Sequence, residues 1–241
     1  MRLFKPNISK LLAKKDMHGL IEALGDNDSQ IAEQAASALG NLRDPQVGGL
    51  LLEALDKPTL RRGAIRALGL TGNVRYLEQL SAALHDSEVD VRQFAIDALL
   101  MLPDPGVVEP LANALNDANG LVRWHAALGL ATLKDPRGID FLAELIEPNV
   151  LGVWDMTTVG PAIDALGKFG GSQAVKPLFK ALQAKHSFVS DAAAEALGKI
   201  KDPGSIEPLR LLLKNPLGLK NVRRSAATAL EAITGERHSL L

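Results

Sequence analysis

The chain has 241 residues, 46% of them hydrophobic and 23% charged, enough to bury a substantial core. A formal charge of −1 and a pI near 6.5 exclude a global field that would draw it to nucleic acid or an anionic membrane. It has no cysteine, which excludes disulfides, thiolate zinc sites and cysteine nucleophiles and points to the cytoplasm.

The N-terminal stretch MRLFKPNISKLLAKKD alternates apolar and basic residues and lacks the core of a signal peptide. Residues 1–15 are predicted as a capping helix, with Leu3, Phe4, Ile8, Leu11 and Leu12 on its apolar side. No apolar run along the chain approaches the roughly 18 residues that span a bilayer.

From there a unit of about 31 residues recurs to the end, clearest in VVEPLANALNDANGLVRWHAALGLATLKDP, Val107 to Pro136. The copies align on Leu39, Leu68, Leu99, Leu130, Leu166, Leu197 and Leu230, at spacings of 29, 31, 31, 36, 31 and 33. This predicts repeats at about 16–45, 46–73, 74–105, 106–136, 137–171, 172–203 and 204–235, one continuous array over 16–241.

Within each unit the first helix is marked by Leu24, Leu55, Leu84, Leu115, Ile146, Leu182 or Leu213. Four residues earlier stands Leu20, Leu51, Leu80, Leu111, Leu142, Leu178 or Leu209. Apolar residues at i and i+4 share one helical face. Pro110, Pro177 and Pro208 are expected in first turns, where a missing N–H costs no helical hydrogen bond.

The second helix starts its template at Ile31, Leu60, Val91, Val122, Thr158, Val189 or Val222, here position zero. An alanine follows four residues on: Ala35, Ala64, Ala95, Ala126, Ala162, Ala193 and Ala226. So small a residue at one phase lets helix backbones approach closely. Asp-Pro at Asp44, Asp104, Asp135 and Asp202 then ends one repeat and begins the next. Gly48-Gly49 and Gly170-Gly171 are expected in turns as helix stops.

One helical pair cannot bury its apolar faces, but stacked neighbours can. The predicted fold is therefore all-α, an α-solenoid of about seven helix-turn-helix repeats, about 70 Å long at roughly 10 Å per layer. The copies resemble HEAT-like repeats of the phycobilin (PBS) lyase type, whose units read VEPLxxAL-xDxxxxVRxxAAxALGxIxDP. The resemblance covers about residues 16 to 235. It implies a right-handed superhelix. It also implies a place among proteins that include bilin lyases and phycobilisome-degradation factors.

In such solenoids positions two and six of the second helix line the concave face. They read Glu33/Ser37, Arg62/Arg66, Gln93/Asp97, Trp124/Leu128, Gly160/Asp164, Asp191/Glu195 and Arg224/Thr228. The face is thus basic in repeat two, apolar around repeat four, acidic in five and six, then basic. Position one carries Arg61, Arg92, Arg123 and Arg223, while Asp26, Asp56, Asp86 and Asp117 sit in the turns inside the repeats. Repetition at one phase predicts a structural ladder of guanidinium forks, interrupted by Val159 and Ser190.

The interruption coincides with an insertion. Twenty positions separate Ile146 from Leu166, against thirteen to seventeen in the other copies. The insertion carries Trp154, Asp155 and Met156 where a turn is expected, and loops on a rigid scaffold are where recognition usually sits. Trp124 and His125 stand one repeat earlier.

No catalytic residue, metal site or cofactor is predicted. The five histidines (His18, His85, His125, His186, His238) lack HxxxH spacing and none is followed by glutamate. The His-Glu pairs with which deoxyhypusine hydroxylase, another HEAT-repeat protein, binds iron are missing. A nucleic-acid groove, as in HEAT-like alkylpurine DNA glycosylases, finds only a local patch of Lys57, Arg61, Arg62 and Arg66.

The expected function is a non-catalytic scaffold binding a partner protein or peptide, with no membrane partner. Its expected site is Arg62, Arg66, Trp124, His125, Trp154, Asp155, Asp164, Asp191 and Glu195. The alternative is a bilin lyase-like subunit or chaperone that handles a tetrapyrrole with Trp154, Asp155, Trp124 and His125. A DNA-binding role is more remote.

Overall fold

The fold is given by a computed structural model that describes residues 6–42, 44–146, 156–184, 186–215 and 218–237. Among the described residues the regular structure is helical, with no strand. Helix α1 (Ile8–Ala13) packs on α2 (Met17–Ala23) and α3 (Ser29–Asn41). Next come α4 (Pro45–Leu55) with α5 (Pro58–Leu70), α6 (Leu77–Ala82) with α7 (Val89–Leu100), and α8 (Val108–Ala114) with α9 (Gly120–Thr132). The last three pairs are α10 (Arg137–Leu145) with α11 (Met156–Phe169), α12 (Gly171–Leu182) with α13 (Ser187–Ile200), and α14 (Ile206–Lys214) with α15 (Lys220–Thr234).

Contacts divide the chain into two compact units, Met1–His125 and Ala126–Leu241, with the boundary inside α9. In the first, α3, α5 and α7 stack in series, and α2, α4 and α6 each pack against the second helix of their own pair. In the second, α11, α13 and α15 stack in series, with α10, α12 and α14 behind them.

Three sequence phases form the core. Leu20, Leu51, Leu80, Leu111, Leu142, Leu178 and Leu209 are all fully buried, and so are the seven position-four alanines. The closing leucines Leu39, Leu68, Leu99, Leu130, Leu166, Leu197 and Leu230 complete the seam. Each buried leucine contributes roughly 1.5–3 kcal/mol of transfer free energy. The alanines contribute little area; their value is the short distance between backbones.

Glycine carries that approach furthest. A Cβ on Gly69 would stand 2.6 Å from Ala98 Cα, and one on Gly167 would stand 2.9 Å from Ala196 Cβ. Second helices in both units therefore touch along nearly bare backbone.

The four Asp-Pro junctions begin new elements as expected. Asp44, Asp104 and Asp202 accept the N–H two residues on, at 2.9, 2.7 and 3.2 Å. Asp135 accepts the Arg137 N–H at 3.0 Å and also its guanidinium.

Three local expectations change. Gly48 and Gly49 lie inside α4, because the helix already starts at Pro45 behind the Asp44 cap. A Cβ at Gly48 would come within 2.0 Å of the Tyr76 hydroxyl, so the glycine leaves room for that ring. Pro177 lies inside α12, where the three-residue 3-10 turn that precedes α8 and α14 is replaced by continuous helix from Gly171. Met156 is the first residue of α11 rather than part of a turn.

The arginine ladder is present where the sequence puts it. Arg92 forks onto Asp117 at 2.7 and 2.9 Å and donates to the Asp86 carbonyl at 2.8 Å. Arg61 does the same one repeat earlier, with Asp86 at 2.8 Å and the Leu55 carbonyl at 2.8 Å. Each arginine thus ties its own turn to the next. The aspartates also accept a local N–H, Glu88 onto Asp86 at 2.8 Å and Asn119 onto Asp117 at 2.7 Å. Burial pushes the Asp117 carboxyl up, but hydrogen bonds from Arg92 and the Asn119 N–H, with the Arg92 and Arg123 charges, hold it below the usual range.

Where the ladder lapses, Val159 and Ser190 are fully buried. Ser190 donates to the Ser187 carbonyl at 3.0 Å and accepts from the Asn221 amide at 3.0 Å. A hydroxyl and an amide there link α13 to α15.

Candidate functional site

In the first unit the outward positions of the second helices form a connected row. Arg66 on α5 reaches back to Glu33 on α3, and Arg62 reaches forward to Asp90 on α7 at a long 3.4 Å. Beneath them lies a groove of about 370 Å³, with Gly25, Ala32, Ala36 and Gly63 as its floor and Phe94 as a wall. The floor is smooth because these positions carry no side chain beyond a methyl. Both predicted arginines line this groove.

Asp97, one repeat on, feels Arg66 on one side and His125 on the other. Burial pushes the Asp97 carboxyl up, only partly offset by the His125 and Arg66 charges. Burial likewise pushes His125 down, opposed by Asp97. At neutral pH the imidazole is uncharged. Its ring lies 4.9 Å from that of Trp124 at 48°, so these two predicted residues are brought together.

In the second unit the acidic stretch carries its own cations. Asp164 pairs with Lys168 at 2.7 Å, and Lys199 stands 2.9 Å from Glu195 and 3.7 Å from Asp164. Glu195, followed by Asp164, holds the Lys199 ammonium above its ordinary range. Asp191 pairs with Arg224 at 3.0 Å and accepts the Ser225 hydroxyl. The face is therefore a mosaic of matched charges.

Trp154 and Asp155 lie outside the described residues. Among those described, no group of three or more His, Cys, Asp or Glu side chains stands close enough to hold a metal ion. No described helix is long and apolar enough to cross a membrane. The basic patch of repeat two is matched pair by pair, Arg61 to Asp86, Arg62 to Asp90 and Arg66 to Glu33.

Phe94, Asp90 and Lys199 belong to these arrangements and were not among the expected site residues. A signal for such pairing exists, since opposite charges stand at outward positions of successive second helices: position two with position six in Glu33–Arg66, and position two with position two in Asp191–Arg224.

Comparison with known proteins follows the repeat. The family model described as HEAT repeats matches residues 17–99, 77–151 and 161–231. No curated protein sequence matches. Among solved structures, the Escherichia coli protein YibA is similar at TM-score 0.60 and 22% identity, covering 93% of this chain and 85% of its own. The CpcE–CpcF complex of phycocyanin lyase from Nostoc gives TM-score 0.49 and 19% identity over 90% of this chain and 94% of that one. Human deoxyhypusine hydroxylase in complex with glycerol gives TM-score 0.41 and 22% identity over 95% and 89%. At these identities the likeness is one of fold.

Proposed function

The chain belongs to the HEAT-repeat family, and from that premise we propose that it is a non-catalytic scaffold holding a partner protein or peptide along its row of second helices. One observation carries this reading. Outward side chains on successive second helices are tied to one another by ion pairs, as in Glu33–Arg66 and Asp191–Arg224, so the row is ordered before anything binds. Preorganised side chains lose less entropy when a partner docks. Stacked repeats also give a long surface that one segment can follow.

The first unit offers a partner Arg62, Arg66, Trp124 and His125, and the second unit, by itself, Asp164, Asp191 and Glu195. The test is affinity capture from the source cell extract with the immobilised full chain. It is compared with a variant carrying Arg62→Ala, Arg66→Ala, Trp124→Ala and Glu195→Ala together. Captured protein should disappear with the variant while its helical circular dichroism is retained. Undiminished capture by the folded variant sinks the second-helix reading.

A further inference from the structure

Resting on that reading, we infer that the groove of the first unit is a pocket for one carboxylate side chain of an acidic peptide, next to an apolar residue of the same peptide. The argument begins with donors. A guanidinium offers five N–H donors in a fixed fork. Arg66 spends one on Glu33, while its Nε–H is buried with no protein acceptor. Arg62 spends one, at 3.4 Å, on Asp90, and its side chain is 54% exposed. The ladder arginine Arg92, by contrast, is saturated by a forked carboxylate and a carbonyl. Two arginines of one helix, four residues apart on one face, thus line a groove with most of their donors unspent.

The rest of the groove sets the shape of what fits. About 370 Å³ lies in the range of a site for a few side chains rather than a whole helix. Ala32 and Ala36 keep the lining small, and Phe94 offers an apolar wall. A carboxylate reaching the fork of Arg66 or Arg62 places the neighbouring residue of its own chain against that wall.

The sign and number of charges are bounded as well. Glu33 and Asp26 line the same groove, with Asp90 and Asp97 alongside its arginines. A chain of phosphates, with a charge at every residue, would meet these carboxylates. A single carboxylate between apolar neighbours meets fewer of them. The geometry therefore favours an acidic peptide over a nucleic acid.

The test selects displayed random peptides on the immobilised full chain, then measures enriched peptides by fluorescence anisotropy. The protein panel is wild type, Arg62→Gln, Arg66→Gln, Phe94→Ala and Asp140→Asn. Enriched peptides should share an Asp or Glu beside a leucine or aromatic residue. Changing that acid to its amide should weaken binding about tenfold, as should Arg66→Gln, with little further loss when the two are combined. The exposed Arg62→Gln keeps the test open should Arg66→Gln unfold, and it should weaken binding several-fold. Asp140→Asn, exposed on α10 and outside the groove, should change nothing.

Enrichment of peptides without a carboxylate overturns this inference. So does binding that ignores both arginines, and either result leaves the scaffold reading standing. Arg66-dependent binding of a labelled oligonucleotide that outcompetes the peptides overturns it in favour of nucleic acid. No enrichment at all counts against both readings.

Discussion

The two units share one buried seam and join their repeats by different chemistry. In Met1–His125 successive turns are riveted by charge: Arg61 to Asp86, then Arg92 to Asp117, each with a carbonyl as well. In Ala126–Leu241 the same helical phase holds Val159 and Ser190, both fully buried, where a hydroxyl–amide bond from Asn221 replaces the fork, before Arg223 again donates to a carbonyl, that of Leu213. The leucine and alanine phases are identical in both. The stacking itself is thus apolar, and the polar link at position one is a replaceable addition whose cost of removal depends on its charge.

The largest expected effect comes from breaking a charged link. The Arg92 and Asp117 side chains are each 12% exposed, so Arg92→Ala leaves a nearly buried carboxylate unpaired. A loss of about 3 kcal/mol follows, read from urea denaturation of the full chain. The same variant should alter acid stability. Because the folded Asp117 carboxyl lies below its ordinary value, its contribution is complete above the unfolded carboxylate range and is lost as pH falls through the folded value. In Arg92→Ala that acid-side loss should shrink, with only the Asn119 N–H and the Arg123 charge left to lower Asp117. An unchanged acid limb would show that the ladder does not hold the turns.

Next comes the shared seam. Gly69→Ala sets a methyl carbon 2.6 Å from Ala98 Cα, backbone that has nowhere to move, and should cost about 2 kcal/mol. A neutral result would mean that the apolar stacking is looser than the shared phases require.

Ser190→Ala is the uncharged counterpart of the first experiment. It removes bonds to the Ser187 carbonyl and the Asn221 amide and should cost about 1 kcal/mol. A loss as large as that of Arg92→Ala would erase the contrast between the units.

The smallest effect is a titration. Burial holds His125 below the ordinary imidazole value and Asp97 partly restores it, so Asp97→Asn should move the His125 midpoint further down in an NMR pH series. Since the folded value is depressed, His125 contributes stability above the ordinary imidazole value that is lost as pH falls. An upward shift in Asp97→Asn would contradict the packing of these side chains.

Much of the fold was legible. Leu20, Ala35 and Leu39 announce their burial by i, i+4 spacing, and the same three phases recur to Leu230 with full burial. The ladder was legible too, because an arginine at one phase and an aspartate in each turn repeat together. Gly48 was misread, since a glycine pair looks like a stop when the Tyr76 hydroxyl that needs the space lies 28 residues away. The candidate site was less legible. Arg62 and Arg66 were singled out by sign and phase, but Phe94 carries no charge to mark it.

The sequence alone determined the period, the three buried phases and the residue types on the outward face, because these are set within one helix by its own 3.6-residue turn. Only the tertiary structure decided which charges are spent and which remain. Asp191 meets Arg224 and Lys199 reaches across to Asp164, while Arg66 keeps unspent donors beside a groove. Those outcomes depend on the offset between stacked helices and on side-chain reach across it, which no repeat encodes locally.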